Sequence, residues 1–331
     1  MTDSPYHDLV RHIPADVLAF FSRHRNMLVL GHLEPDADCI GSEVALASAL
    51  RHALGLTVQL ANPGPFERPE ISSQANRFLT DPGEVDRDAT GVVVLDCSSA
   101  DRIEPFGALL GSRETLVIDH HRAGQAFGNL HLIRPDIPAN TILVTALLDA
   151  LEIPLEPEVA DLLFLGLATD TGFFRFLDET QGIAFAAAER LSRAGASARR
   201  TAGQLNSGRS WGSRQIIARM LLRTEQLADG AILLSHMTSD DEREHGNRRD
   251  TDSLYGLLLS IEHVRVIAVV KEKADGCTVS FRANDATDVS ALAARIGGGG
   301  HQKAAGAFMP QSLSEALPTV RQLLGSVAST R

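Results

Sequence analysis

Four side chains that bind protons or metal ions follow one apolar segment within seven residues. In "VLGHLEPDADCIGSEVAL", residues 29–46, these side chains are His32, Glu34, Asp36 and Asp38, and a second apolar segment follows directly. Carboxylates held this close together repel one another unless a cation lies among them. The segment therefore predicts a metal ion where a strand meets a helix.

Acidic residues and histidines end three further apolar segments. Asp96 follows "GVVVL", the triplet "DHH" at residues 119–121 follows "TLVI", and Asp170 lies in "GLATDTGFF". In open parallel sheets, side chains beyond the carboxyl ends of the strands converge on one crevice. We therefore expect the four segments to contribute to a single site.

Two histidines and four aspartates from these segments would suit a pair of divalent ions. Imidazole and carboxylate ligands favour Mn²⁺, Fe²⁺, Co²⁺ or Zn²⁺ over ions that prefer thiolates. An aspartate shared by two such ions can hold them about 3.5 to 4 Å apart, where they activate a water and neutralise a phosphate. The set therefore predicts hydrolysis of a phosphoester.

Each signal has a plainer interpretation when it is taken alone. An aspartate at the end of a strand is most often a cap or a turn residue, and the tripeptide "DHH" carries little information by itself. The occurrence of all four signals in order, each at the end of an apolar element, favours the metal site.

The elements that must position these residues alternate between strands and helices. Continuously apolar segments such as "GVVVL" and "TLVI" are typical of strands buried on both faces of a parallel sheet. Periodicity predicts strands at 27–30 and 56–60, and helices at 41–54, 142–151, 158–167 and 182–193, the first ended by Gly55.

The composition changes at about residue 194 to a segment rich in Gly, Ser and Arg, which predicts a domain connection. A helix at 215–228 follows, and then strands in "AILLSHM", "VRVIAVV" and "CTVSFR", a charged surface loop in "TSDDEREHGNRRD", and a helix at 290–295. The predicted fold is α/β: a parallel-sheet N-terminal domain (1–193) with helices on both faces, a connecting segment (194–229) and a smaller α/β domain (230–331).

Charge and composition exclude several classes of protein. With 31 basic and 42 acidic residues in a chain of 331, the formal charge is −11, which argues against a protein that coats long nucleic acid through many phosphate contacts. No apolar segment approaches the roughly 20 residues that span a bilayer, and no signal sequence is recognisable. Three cysteines without a CxxC spacing do not indicate a disulfide framework. We expect a cytoplasmic protein.

Taken together, the motifs resemble those of the DHH phosphoesterases, which include the RecJ nucleases, and in particular the shorter NrnA-like subgroup. The matching segments are "GHLEPDADCIGS", "VVVLDCSSADRI", "VIDHH", "ATDTGFFRF" and "GGGGHQKAAG". They occur in the family's order and cover residues 28–308. The resemblance implies a DHH catalytic domain with two divalent ions, Mn²⁺ above all, and a C-terminal DHH-associated domain that binds substrate.

The resemblance also assigns roles to individual residues. It implies metal ligands at His32, Asp36, Asp38, Asp96, His120 and Asp170. By the same match, His121 contacts the phosphate or protonates the leaving oxygen, and Asp119 orients the histidines. In the C-terminal domain, the residues expected to bind a terminal phosphate or a base are Arg282, Gly298, Gly299, Gly300 and His301. Without the resemblance, the four-glycine run would be interpreted as a flexible loop.

The chain departs from the family pattern at three positions. Ala37 stands where the family usually has glycine, Cys39 stands where it has a small residue, and Ile142 lies near the place of a common glutamate. The implied ligands are unaffected, but the substrate is left open among short RNA, linear or cyclic dinucleotides and 3′-phosphoadenosine 5′-phosphate (pAp). The resemblance further implies a homodimer.

Two other functions compete with phosphodiester hydrolysis. The same scaffold could sense nucleotides without hydrolysing them, because a fold alone does not confer activity. An inorganic pyrophosphatase has related ligands, but "GGGGHQKAAG" argues against that branch of the superfamily. The only tryptophan, Trp211, is expected to pack beside the connecting helix rather than to stack on a base.

Overall fold

The structure is a computed structural model that describes residues 4–86, 88–97, 99–111, 113–121, 127–206, 209–246 and 251–328. The chain divides into two compact units, Met1–Ser207 and Gly208–Arg331. Each unit has hydrophobic clusters of its own. Among the described residues, no helix combines the length and the apolar composition needed to cross a membrane.

In the described part of the first unit, five parallel strands form one sheet, as predicted from the apolar segments. The strands are Asn26–Leu30 (β1), Thr57–Ala61 (β2), Gly91–Leu95 (β3), Glu114–Asp119 (β4) and Leu130–Ile133 (β5). Their order across the sheet is β2-β1-β3-β4-β5. The three strands that precede the predicted ligands, β1, β3 and β4, are therefore direct neighbours.

Seven α-helices are described in this unit: Pro5–Arg11 (α1), Ala15–Arg23 (α2), Ala37–Leu54 (α3), Asn140–Ala150 (α4), Pro157–Asp170 (α5), Ile183–Arg193 (α6) and Ala198–Asn206 (α7). Helix α3 begins four residues earlier than predicted because the side chain of Asp36 caps it. It ends as predicted at Gly55, whose φ of 63° stops the helix in a left-handed turn.

Strand residues alternate between the two faces of this sheet. Val29 and Val93 pack into the cluster formed with the α-helices, whereas Leu30 and Val94 pack with Ile103 into a second cluster. Short 3₁₀ helices lie in this unit at Ser72–Arg77, Pro82–Glu84, Ala100–Ile103 and Gly107–Leu109. Ile103 of one of them fills the second cluster, so α-helices cover one face and irregular segments with 3₁₀ helices cover the other.

In the second unit, a six-stranded sheet is described, with the order β10-β11-β9-β8-β7-β6. Its strands are Glu225–Leu227 (β6), Ile232–Met237 (β7), Val266–Lys273 (β8), Gly276–Ala283 (β9), Gly299–His301 (β10) and Ala304–Met309 (β11). The β7 and β8 pair is parallel and the other pairs are antiparallel. Its helices are Trp211–Leu222 (α8), Ser239–His245 (α9), Thr251–Leu259 (α10), Val289–Ala294 (α11) and Leu313–Ala328 (α12).

Three predictions for this unit are wrong. The helix expected at 215–228 ends at Leu222, because the next residues form β6 and pair with β7. Residues of the expected charged loop form α9, which Thr238 and Asp241 begin with reciprocal capping hydrogen bonds; residues 247–250 of that loop lie outside the described residues. Trp211 is 77% exposed rather than packed.

Half of the four-glycine segment, Gly299 and Gly300, lies in an edge strand of the sheet rather than in a loop. Gly299 to His301 form β10, which pairs with β11 in antiparallel register. A side chain at Gly300 would place its Cβ 2.6 Å from the Cα of Ala305, and one at Gly298 would collide with the carbonyl oxygen of Gly306. These glycines allow β10 and β11 to approach each other.

Candidate metal centre

His32 lies directly beyond β1 in a loop that two backbone hydrogen bonds fix. The amide of Leu33 donates to the carbonyl of Arg102 at 2.7 Å, and that of Glu34 donates to the carbonyl of Gly64 at 2.8 Å. The Nδ1 edge of His32 lies 2.8 Å from the Leu33 carbonyl and 3.0 Å from Nη2 of Arg102. The opposite edge, Nε2, is therefore the one turned toward Asp96, whose Oδ2 is 3.6 Å away.

Asp36 and Asp38 are held in place at the first turn of α3. Oδ1 of Asp36 accepts hydrogen bonds from the amides of Asp38 and Cys39, both at 3.1 Å. The carboxylate of Asp38 is fully buried and accepts from the amides of Asn140 and Thr141 at 2.5 and 2.9 Å. The amino end of α4 therefore fixes Asp38, because these amides have no partner within their own helix.

Asp96 lies one residue beyond β3 and is buried between two imidazoles. Its Oδ2 faces Nε2 of His32 at 3.6 Å, and its Oδ1 faces Nε2 of His120 at 3.4 Å. Its backbone has a φ of 56° and donates to the carbonyl of Ile118 at 2.9 Å. One carboxylate thus turns its two oxygens toward two different histidines, which is the orientation that a bridging ligand requires.

The two histidines of the DHH triplet point in different directions. Oδ1 of the buried Asp119 accepts from Nδ1 of His121 at 2.8 Å and from both following amides. His120 points inward, with Nε2 3.3 Å from Asp170 and 3.8 Å from Asp38. His121 points outward and keeps 46% of its side chain exposed.

Asp170, the last residue of α5, reaches the site because α5 crosses α3 closely. A Cβ on Gly166 would lie 2.8 Å from the Cα of Asp38, and one on Gly41 would lie 2.6 Å from the carbonyl oxygen of Leu162. Neither position has room for a side chain. Two glycines, one on each helix, therefore bring the end of α5 next to the beginning of α3.

Three overlapping groups of donor atoms result, each with all its members within 4.8 Å of one another. They are His32, Cys39 and Asp96; Asp38, His120 and Asp170; and Asp96, Asp119, His120 and His121. Five of the six predicted ligands are in these groups. The sixth, Asp36, belongs to none of the groups found among the described residues, whereas Cys39, which was not predicted as a ligand, does.

The charges of this cluster are unbalanced without a cation. Burial, together with Asp170 and Asp96, raises the pKa of Asp38 well above its ordinary value. Burial alone would lower the pKa of His120, but the carboxylates of Asp170 and Asp96 outweigh it and raise this pKa to about 11. Among the described residues, Nε2 of His120 and Oδ1 of Asp96 are buried without a hydrogen-bond partner. These atoms and this donor set fit divalent cations.

Sequence reasoning missed three residues around this cluster. Arg102 flanks His32, and the fully buried Glu43 accepts a hydrogen bond from Nδ2 of Asn62 at 3.0 Å. Asn62 in turn accepts from the amide of Gly64, whose carbonyl holds the His32 loop. Of these three residues, Glu43 could have been found from sequence, because it is the only acidic residue in the apolar segment "CIGSEVALASAL".

The residues predicted to bind substrate lie in the second unit, at one end of its sheet. Arg282 of β9 is opposite Ala304 of β11, and Ala304 is opposite His301 of β10. The guanidinium of Arg282 lies 4.5 Å from the ring centre of Tyr255, a cation–π contact. His301 is exposed. The structure therefore brings Arg282 of β9 and the glycine segment with His301 of β10 to the same end of the sheet, with β11 between them.

Comparisons with known proteins match two parts of the chain to two domain families. A model of the DHH family, N-terminal domain, matches residues 26–167, and a model of the DHHA1 domain matches residues 230–329. The bifunctional oligoribonuclease and PAP phosphatase NrnA of Thermus thermophilus is 29% identical over 301 residues, 88% of each chain.

Two crystal structures share the fold. An exopolyphosphatase-related protein from Bacteroides fragilis has a TM-score of 0.82 at 20% identity, over 97% of this chain and 96% of that one. An exonuclease RecJ bound to manganese has a TM-score of 0.51 at 16% identity, over 96% and 94% of the two chains. At these identities the likeness extends to the fold alone.

Proposed function

The chain belongs to the DHH family, with an N-terminal domain of that family followed by a DHHA1 domain, and we propose that it is a metal-dependent phosphodiesterase. Its substrates are short oligoribonucleotides or dinucleotides, which it hydrolyses to mononucleotides, and pAp 3′-phosphatase activity is a second reaction of the same site. The observation that carries the proposal is the buried carboxylate of Asp96, turned toward His32 on one side and His120 on the other. The name of the Thermus relative supports the substrate class.

Two divalent ions would be held by the six predicted ligands. His32, Asp36 and Asp96 would hold the first ion, and Asp38, Asp96, His120 and Asp170 would hold the second. A RecJ structure with the same fold contains manganese, which supports Mn²⁺ as the natural ion. When bound, the ions supply Lewis acidity and an activated water for attack on phosphorus.

His121 is the proposed proton donor to the leaving oxygen. Asp119 holds its Nδ1 edge at 2.8 Å, and 46% of the side chain is exposed, so Nε2 is the nitrogen left for the substrate. The carboxylate of Asp119 also raises the pKa of His121, which favours a protonated imidazole near neutral pH. As the bond between phosphorus and the leaving oxygen breaks, that oxygen takes the Nε2 proton.

The second unit is proposed to select substrate length. Arg282, His301 and the backbone of Gly298, Gly299 and Gly300 would hold a terminal phosphate or base, so that short chains bind and long ones do not. The net charge of −11 agrees with a short substrate. We further propose a homodimer in the cytoplasm, for which the family resemblance is the support.

The proposal is tested with a panel of pAp, pApA, five-residue RNA, cyclic di-AMP and pyrophosphate, each with Mn²⁺ and with chelator. We expect mononucleotides from pApA or short RNA only with metal, and no turnover of pyrophosphate. Asp96→Asn should abolish turnover. Asp149→Asn is the matched control, because Asp149 pairs with Arg190 and Tyr6 elsewhere in the same unit.

Three results would contradict the proposal. Full turnover in Asp96→Asn, or turnover that chelator does not reduce, would remove Asp96 from the metal centre. Silence across the panel from a protein that still binds metal would favour a nucleotide sensor instead.

A further inference from the structure

Cys39 places a sulfur atom among the ligands of the first ion. Its Sγ belongs to a group with a ring nitrogen of His32 and a carboxylate oxygen of Asp96, all within 4.8 Å of one another. All three side chains are buried, and Cys39 is fully buried.

The packing around Cys39 directs this sulfur toward the end of β1. Sγ lies against the backbone of Gly31, where any Cβ would collide with it. The thiol donates a hydrogen bond to Oε2 of Glu43 at 3.5 Å, and its sulfur accepts one from Nδ2 of Asn62 at 3.9 Å. Gly31 therefore leaves room for the thiol directly beside His32, and the amide of Asn62 can donate a hydrogen bond to the sulfur.

Asp36, the other residue predicted to bind this ion, already accepts backbone hydrogen bonds with one of its carboxylate oxygens. Oδ1 of Asp36 caps α3 through two amides, and Asp36 is not among the close donor groups formed by the described residues. The sulfur of Cys39 is therefore within 4.8 Å of both a ring nitrogen of His32 and a carboxylate oxygen of Asp96, whereas Asp36 completes no such group among the described residues.

We propose that the Cys39 thiolate is a ligand of the ion held by His32 and Asp96. On binding, the S–H bond breaks, a sulfur lone pair coordinates the metal and the proton leaves to solvent. This inference rests on the metal centre of the proposed function. It departs from a site built of imidazole and carboxylate alone, because a thiolate favours Zn²⁺, Co²⁺ or Cd²⁺ over Mn²⁺ or Mg²⁺.

The test is titration of the full chain, freed of metal, with Co²⁺, read by absorption and by counting bound cobalt. We expect a sulfur-to-cobalt charge-transfer band in the near ultraviolet as the first ion binds. Cys39→Ala and the closer isostere Cys39→Ser should bind cobalt without that band. In competition, the preference of the wild type for Cd²⁺ over Mn²⁺ should fall at least about tenfold in Cys39→Ala.

Two matched variants control for the other buried thiols. Cys97 follows Asp96 in sequence but donates to the carbonyl of Ser99 at 3.1 Å, and Cys277 lies in the second unit. Cys97→Ala and Cys277→Ala should keep the band at wild-type intensity.

The outcomes distinguish the proposed thiolate ligand from the proposed metal centre on which it rests. Cobalt bound by the wild type without a band, or a band that persists in Cys39→Ala, overturns the thiolate ligand and leaves the metal centre standing. A wild-type chain that binds no cobalt overturns both.

Discussion

Asp96 reaches its two histidines from a backbone conformation that few residues other than glycine adopt. Its φ of 56° lies in the left-handed region, which costs of order 1 kcal/mol or more for a residue with a side chain. The hydrogen bond from its amide to Ile118 and its burial hold it there. Strain of this kind is retained where a side chain must occupy one position. Here the carboxylate of Asp96 occupies the position between His32 and His120.

The two histidines of the DHH triplet should respond differently to the same substitution. His121→Gln should lower kcat by about 10² to 10⁴-fold while bound metal is unchanged, because His121 faces outward. His120→Gln should lower metal affinity, because its Nε2 lies among three carboxylates. Kinetics and metal counting on both variants check this. Equal loss of metal in the two variants would contradict the assignment.

Ligand identity could be predicted from sequence more fully than ligand environment. The six predicted ligands stand at or near the ends of apolar segments, which can be recognised in the sequence. The supports could not be found in this way: Asn62 and Arg102 meet the His32 loop only through tertiary contacts, and nothing near them in sequence marks them. Cys39 was not predicted as a ligand, because the sequence does not show that its sulfur lies beside His32 and Asp96.

The close crossing of helices α3 and α5 sets the positions of two carboxylates in the site. Gly41 and Gly166 let the two helices touch backbone to backbone, so the last residue of one helix lies beside the first turn of the other. The positions of Asp38 and Asp170 thus depend on the absence of two side chains elsewhere on the same helices. Larger residues at either glycine would push the two helices apart and separate these carboxylates, and a Cβ at Gly166 would also lie 2.9 Å from Oδ1 of Asp38.

The close approach of β10 to β11 can be tested by substitution at its glycines. Gly300→Ala should destabilise the β10–β11 edge by about 1 to 3 kcal/mol, because Gly300 has a φ of 141° and Ala305 lies against it. Gly299→Ala is the matched control and should stay within about 0.5 kcal/mol, since nothing lies within 4 Å of its Cβ position. Amide hydrogen exchange in β11 measures both. Similar exchange in the two variants would show that the edge does not depend on Gly300.

Helix α9 should make the stability of its unit depend on acid. Burial alone would raise the pKa of Asp241, but Arg223, Thr238 and Arg219 outweigh it and hold this pKa well below its usual range. Its contribution is therefore complete above the unfolded pKa of about 3.9 and is lost as pH falls through the lower folded pKa. Asp241→Asn should lower the free energy of unfolding by about 2 kcal/mol at pH 7 and flatten its decline in acid.

The neighbouring Asp240 is the control for this prediction. It pairs with Arg243 at the surface, with both side chains more than 70% exposed, so Asp240→Asn should change the free energy of unfolding by less than about 1 kcal/mol. Chemical denaturation between pH 3 and 7 compares the two variants. An acid dependence in Asp241→Asn equal to that of the wild type would remove Asp241 as its source.

Buried strands were predictable and this helix was not, for a physical reason. A strand covered on both faces must be apolar throughout, so "GVVVL" predicts its own structure. The segment "SDDEREH" looks uniformly polar, and only its packing against α8 distinguishes the buried Asp241 from the exposed Asp240. The same limit explains why Trp211 was expected to be buried.

Across the chain as a whole, each unit has its own core, and the predicted ligands all lie in the first unit. A fragment of residues 1–207 should therefore unfold cooperatively and bind Mn²⁺ with the stoichiometry of the full chain. Calorimetry and metal counting check this. A fragment that is unfolded, or folded without binding metal, would show that the second unit is needed to complete the centre.

The position of Asp170 on α5 has a consequence for biosynthesis. The first predicted ligand is His32 and the last is Asp170, so 138 residues (170 − 32) are translated between them. At about 5 to 20 residues per second, a ribosome needs roughly 7 to 28 s to cover this distance. During that interval the nascent chain carries acids without the helix that completes their cluster. A cation can stabilise the first unit fully only after α5 has left the ribosome, so metal capture is a late step in the making of this protein.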